Sequence, residues 1–174
     1  VVDGWRAYSF IRILQRCWSH LIREVDDFKE VSENGKRLSE EIHSMFNRLK
    51  SFLEKDTTID ARKRQKDEFD REMEDVVERY DRYKDLQKPI TYIRRGLGKW
   101  FTCFLYPGMD PTNNLGEQAI REHVIMRKII GCFRSENGSQ NYQYISSLLA
   151  SWKLQGKNMF VELEKLLRRD LCLS

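Results

Sequence analysis

The sequence predicts an α+β fold that is predominantly helical, and two observations predict it. Apolar residues at Leu38, Ile42, Met45, Leu49 and Phe52, and again at Phe69, Met73, Val76, Tyr80 and Tyr83, recur at alternating spacings of four and three. That period lays one stripe along a helix. The runs Val1-Val2 and Ile11-Arg12-Ile13-Leu14 are short, apolar and bounded by turn residues, which is the length and flanking pattern of strands.

Taken in order, residues 1–25 read as strand, loop, strand and helix, with a turn at Asp3-Gly4. The stripes predict helices over 36–53 and 62–86, broken near Asp56-Thr57-Thr58-Ile59-Asp60 and paired as an antiparallel hairpin. Pro89 suits the first turn of a further helix reaching about residue 105. Pro107-Gly108 then breaks the chain, and Asp110-Pro111-Thr112-Asn113-Asn114 supplies capping residues for a helix over 115–126. The apolar run Ile129-Ile130-Gly131-Cys132-Phe133 ends in a polar turn at 135–139, and helices over 141–155 and 159–169 finish the chain. The division expected is 1–25, an all-helical insertion over 26–106, and 107–174 with the last helices.

A chain of 174 residues, 40% of them hydrophobic, suffices for one core or for one core interrupted by an insertion. The opening Val1-Val2-Asp3-Gly4 resembles the end of a buried strand, so a segment of a longer protein is expected. A net charge of +4 mildly favours an anionic partner. Residues 26–106 hold eighteen basic and eighteen acidic side chains, so all of the excess lies in the flanks. No apolar run is long enough to span a membrane and no secretory leader is visible, so an intracellular protein is expected. Cys17, Cys103, Cys132 and Cys172 lack a framework spacing and are read as free thiols.

Few residues could carry chemistry. Asp3 closes an apolar run, where a carboxylate can leave a sheet edge for a cleft, although an aspartate that caps its own turn reads the same way. Glu117 stands three residues after Asn114, the spacing of a capping box that needs no function. Against that, Gly116 inside the first turn costs helix stability and signals a close approach. Arg121 follows Glu117 by one turn. Cys17-x-x-His20 has the spacing of half a zinc site. With no second pair to complete four ligands, zinc is not expected there. Cys17 is read as a small buried hydrophobe and His20 equally well as a satisfied core histidine. Arg121, Arg127, Lys128 and Arg134, interleaved with Ile130 and Phe133, could track a phosphate backbone, or could be a solvated face. Lys63, Arg64 and Lys66, and Arg94-Arg95, lie in the neutral stretch and read as surface charges.

In order, these signals become specific. The segments Val1-Val2-Asp3-Gly4-Trp5-Arg6-Ala7-Tyr8, Gln15 to Glu24, Pro111 to Arg121, and Arg127 to Ser135 resemble the catalytic domain of insertion-sequence transposases of the insertion-sequence sixty-six family. The resemblance covers roughly 1–25 and 107–170 and is weak between. It implies a partial ribonuclease-H-like core interrupted by the helical hairpin, and an Asp-Asp-Glu mechanism in which Asp3 matches the second Asp and Glu117 the Glu. The first Asp of such a set lies on an earlier strand, so the chain by itself is expected to be inactive. Cys17 and His20 match a Cys-x-x-His element with a structural or supporting role, and Asn113 and Asn114 support the Glu helix. Gln118 stands where an Arg is expected.

The implied cofactor is Mg²⁺ or Mn²⁺, which hard carboxylate oxygens suit. The implied reaction is metal-dependent strand cleavage and strand transfer during transposition, in the cytoplasm of a prokaryote at the nucleoid. The implied partners are transposon-end and target DNA and a second copy of the chain, with no membrane. A second reading is a non-catalytic helical DNA-binding or dimerisation module from a decayed transposase gene, its dimer surface formed by the stripes at 38–52 and 69–83. A third is a metal-dependent nuclease of the same superfamily.

Overall fold

The computed structural model describes residues 1–3, 8 and 10–171, with side chains as far as residue 168. Among the described residues there are seven α-helices: α1 Trp18–Asp26, α2 Glu33–Leu53, α3 Ile59–Tyr80, α4 Gln87–Arg94, α5 Asn114–Ile130, α6 Glu136–Leu154 and α7 Met159–Leu171. Single 3₁₀ turns at Lys84–Leu86 and Thr102–Leu105 flank α4. The chain forms two compact units, Val1–Ile120 and Arg121–Ser174.

The predominantly helical expectation holds, and the α+β expectation does not. Among the described residues the only β pairing is one isolated parallel bridge, Val2 with Arg16. Val2 N donates to Gln15 O at 3.0 Å and Cys17 N to Val2 O at 2.8 Å. On the other side of the chain, Arg16 N bonds Lys99 O at 2.9 Å. A strand needs a continuous ladder, and the run 11–14 has none: it bends, leaving Ile13 exposed. No sheet of a ribonuclease-H-like core is therefore present among the described residues. The expected turn at Gly4, and Trp5, Arg6 and Ala7 of the first motif, lie outside the described residues.

Both stripes predicted from spacing are buried. Leu38, Ile42, Met45 and Leu49 on α2 pack with Phe69, Met73, Val76 and Tyr80 on α3, while Phe52 and Tyr83 are partly buried against the same core. The pairing is antiparallel: Arg48 pairs with Glu72, and Glu41 with Arg79, so one partner advances as the other retreats. Both helices start at side-chain caps, Ser32 Oγ accepting from Gly35 N at 3.1 Å and Thr58 Oγ1 from Ala61 N at 3.3 Å. The cap places the start of α2 at Glu33, three residues earlier than the apolar stripe indicates. Trp18, Leu21 and Val25 of α1 belong to the same core, as do Ile90, Ile93, Trp100, Phe101 and Phe104. The stripes thus face the chain's own interior and leave no dimer surface of the kind the interaction-module reading requires.

The helix expected to run from Pro89 to about residue 105 stops at Arg94. Its end is made by Trp100, whose indole Nε1 donates to Ile93 O at 2.9 Å, sharing that last-turn carbonyl with Gly96 N at 2.9 Å. The ring lies so close to Gly96 that a Cβ there would meet Trp100 Cε2 at 2.4 Å, and Gly98 takes φ +72° to turn the chain back. The break is thus tertiary in origin.

In the second unit, α6 starts at Glu136 because Ser135 Oγ accepts from Gly138 N at 3.1 Å, so residues read as a polar turn are helical. Ile129 and Ile130, read as a separate apolar run, end α5, and Gly131 at φ +79° stops it. Tyr142 of α6 meets Phe133 at a tilt, ring centres 5.2 Å apart, and hydrogen-bonds His123 Nδ1 at 3.0 Å.

Gly96→Ala should destabilise the protein by about 1–3 kcal/mol, since the added methyl must displace the packed indole. Urea unfolding followed by tryptophan fluorescence checks this, and an unchanged midpoint would remove Trp100 as the terminator of α4.

Candidate functional site

Residues 14–18 form the base of the site, and buried polar bonds hold them. Gln15 is 1% exposed. Its Nε2 donates to Trp100 O at 2.7 Å, and its Oε1 accepts from Cys103 N at 2.8 Å. Thr102 Oγ1 donates to Leu14 O at 2.8 Å, and the Trp18 indole donates to Trp100 O at 2.8 Å. Each bond satisfies a group that burial would otherwise leave costly.

Above this base the loop 110–114 is fastened to the start of α1. Trp18 N donates to Pro111 O at 3.1 Å, Asn113 N to Cys17 Sγ at 3.2 Å, and Ser19 Oγ to Asn114 Oδ1 at 3.1 Å. The loop is shaped by Asp110, whose Oδ1 accepts from Thr112 N at 2.6 Å and Thr112 Oγ1 at 2.7 Å. This fastening delivers α5, and with it Glu117, to Cys17 and His20.

The ligand atoms of Cys17, His20 and Glu117 all lie within 4.8 Å of one another. Cys17 is fully buried. His20 Nδ1 and Glu117 Oε1 stand 3.6 Å apart, too far for a hydrogen bond. Both atoms are buried without a hydrogen-bond partner. His20 is therefore not a core histidine satisfied at Nδ1, and Glu117 Oε1 is not closing a capping box. Asn114 is the first residue of α5 rather than its cap, and its side chain takes the Ser19 hydroxyl. The close approach that Gly116 signals is to Asn113, whose Oδ1 would lie 2.8 Å from an added Cβ.

Asp3 is the residue after Val2, whose carbonyl accepts the Cys17 amide, so its backbone runs beside Cys17. Its carboxylate also acts on Tyr92. Burial pushes that phenol above its ordinary value, Arg16 opposes the shift, and Cys17, Asp3 and Glu24 add to it. Arg16, which sequence reasoning did not single out, lies 4.7 Å from the ring centre of Tyr92 and 5.1 Å from that of Trp100. Its position directly before Cys17, in a run continuing into Trp18, was the available signal. Beside α1, Ser19, Asn114, Asp110, Lys50 and Arg62 line a groove of about 560 Å³.

The predicted phosphate-binding residues Arg121, Arg127, Lys128 and Arg134 lie in the second unit and are exposed. Among the described residues none of them has an acidic partner within 4.0 Å. In the first unit, by contrast, Lys63 pairs with Asp60, Lys66 with Asp70 and Arg94 with Asp81. Cys17, Cys103 and Cys132 are free thiols, and burial pushes Cys103 up to about 12. Cys172 lies outside the described residues. No helix among the described residues is long and apolar enough to cross a membrane.

The site brings a carboxylate from a late helix to a cysteine and a histidine near the start of the chain. Residues 1–141 match the family model described as Transposase IS66 family, and the chain belongs to that family. No curated protein and no solved structure matches it.

Asp110→Ala should loosen the loop by about 1 kcal/mol, the worth of an exposed hydrogen-bonded turn. Amide hydrogen exchange should quicken at Thr112 and Asn113 while the amides of α2 and α3 keep their protection. Equal acceleration everywhere would mean that Asp110 supports the whole unit rather than the fastening.

Proposed function

We propose that the chain carries part of the catalytic site of a transposase that cuts and joins DNA at the ends of an insertion sequence, with Asp3 and Glu117 as two carboxylates of an Asp-Asp-Glu set. The observation that carries this reading is Glu117. Its buried Oε1 has no hydrogen-bond partner, only the His20 ring nitrogen at 3.6 Å, and a metal ion would supply the partner that burial otherwise makes costly to lack. On this reading the Val2–Arg16 bridge is the margin of the ribonuclease-H-like sheet that the resemblance implies.

Carboxylate oxygens suit Mg²⁺ or Mn²⁺, and Asp3 and Glu117 are the residues that would hold such an ion. When bound, it supplies activation of a water or 3′-hydroxyl and stabilises the oxygen that departs from phosphorus. The chain's own part is to orient. The 110–114 fastening fixes the start of α5 and so the reach of Glu117, and the base of residues 14–18 fixes the backbone beside Asp3. The second unit supplies the exposed cations Arg121, Arg127, Lys128 and Arg134 for DNA phosphates. The resemblance puts a first Asp ahead of Asp3, so the pair alone is not expected to cut. Transposon-end and target DNA are the partners, met in the cytoplasm at the nucleoid, and end synapsis brings together two copies of the chain.

The test joins the chain to the family segment that carries the first Asp and assays transposon-end duplexes in Mn²⁺. Asp3→Asn and Glu117→Gln should each lower strand cleavage by about a thousandfold or more, as for residues that act as a unit. Full activity in Glu117→Gln would sink the assignment, and cleavage without joined product would favour a nuclease. Separately, Arg127→Ala and Lys128→Ala should each reduce the salt slope of DNA binding by about 1, the signature of one lost phosphate contact. Fluorescence anisotropy across a salt series reads this, and an unchanged slope would return these residues to a solvated face.

A further inference from the structure

The carboxylate chemistry leaves the sulfur and nitrogen beside Glu117 unexplained. We propose that Cys17 Sγ, His20 Nδ1 and Glu117 Oε1 form a second kind of metal site, one for a borderline or soft divalent cation of the Zn²⁺ class, distinct from the hard-cation role given to the carboxylates. The inference stands whether or not Glu117 takes part in strand cleavage.

Donor chemistry comes first. Thiolate, imidazole and carboxylate together are a zinc set, whereas Mg²⁺ takes oxygen ligands throughout. Sequence spacing offers only two of these donors, and the third arrives from α5, ninety-seven residues after His20. Three protein ligands with a fourth position for water is the composition of an open zinc site rather than a closed structural one.

Geometry comes next. His20 Nδ1 and Glu117 Oε1 are 3.6 Å apart. With metal–ligand bonds of about 2.0–2.2 Å, that separation subtends an angle of about 120° at a shared ion, near the tetrahedral value. Cys17 Sγ lies within 4.8 Å of both, and an ion would draw it inward. The two orphaned buried atoms are the pair such an ion would satisfy.

The surroundings also fit. Metal-bound cysteine sulfur accepts backbone N–H groups, and Asn113 N already donates to Cys17 Sγ at 3.2 Å. Cys17 is the residue before α1 and His20 lies in its first turn, so the two reach the same end of the helix. The 110–114 fastening holds the third ligand without the ion. Two chain segments are therefore already committed to the arrangement, and only the sulfur has to move inward to reach an ion.

Titration of the metal-free chain with Co²⁺, a spectroscopic stand-in for Zn²⁺, decides the matter. The expected result is a thiolate-to-cobalt charge-transfer band in the near ultraviolet that saturates at one equivalent. Zn²⁺ should abolish the band and a hundredfold excess of Mg²⁺ should leave it. Cys17→Ser should remove it, and His20→Ala and Glu117→Gln should each weaken Co²⁺ binding at least tenfold, with circular dichroism confirming that each variant is folded. Glu117→Gln alters a partly exposed side chain, so it keeps the test decisive if Cys17→Ser does not fold. Absence of the band, its survival in Cys17→Ser, its loss to Mg²⁺, or unchanged affinity in both His20→Ala and Glu117→Gln would overturn the proposal. The readout needs no DNA and no cleavage, so failure here leaves the transposase reading standing, and failure of cleavage leaves this site standing.

Discussion

The first unit depends on the fastening of the loop 110–114 to the start of α1. Two of its three hydrogen bonds use a helix-terminal amide and a buried sulfur that would otherwise lack partners, and the third joins the exposed side chains of Ser19 and Asn114. Because the loop leads directly into α5, fixing it fixes the first turns of that helix, and Glu117 inherits the position. Without the fastening, α5 would have only its own propensity to place its side chains.

Below the fastening, the aromatic cluster gives it something rigid to act against. Trp18 stacks on Phe46 with ring centres 5.3 Å apart and meets Trp100 and Phe101 at angles, so the first residue of α1 is held on three sides. Such packing leaves little freedom for the backbone on either side of Trp18. The residues just before it, Gln15 to Cys17, then exchange hydrogen bonds with Val2, Lys99, Trp100 and Cys103 at fixed distances. Polar bonds set the direction of the chain here, and apolar contact sets its depth.

What was legible in the sequence follows from the range of the forces involved. The helical stripes were legible because a period of 3.6 residues is a local property, and both faces were identified residue by residue. Helix ends were legible only where a cap is local: the Ser32 and Ser135 starts could have been read from Ser-x-x-Gly, whereas the end of α4 is imposed by Trp100 folding back over Gly96. The strands were over-read, because an apolar run of strand length says nothing about whether a neighbour exists to pair with it. Asp3, Cys17, His20 and Glu117 were each noticed, yet the joining of Glu117 to the Cys-x-x-His pair was not. No periodicity carries that information, since it depends on a loop whose role is visible only in its hydrogen bonds.

The sequence distance spanned by those bonds bears on the order of folding. Asn113 and Cys17 are 96 residues apart, and Gln15 and Cys103 are 88 apart, whereas the contacts of the hairpin are far more local. Closing so long a loop costs chain entropy that must be met before the contact rewards it. The helices between are therefore expected to form first and bring the two ends within reach, with the site assembling on that scaffold. A ligand that bound the finished site would act on the last step of folding rather than the first. It would stabilise the native state in proportion to its free concentration relative to its dissociation constant, while leaving the early formation of the hairpin untouched.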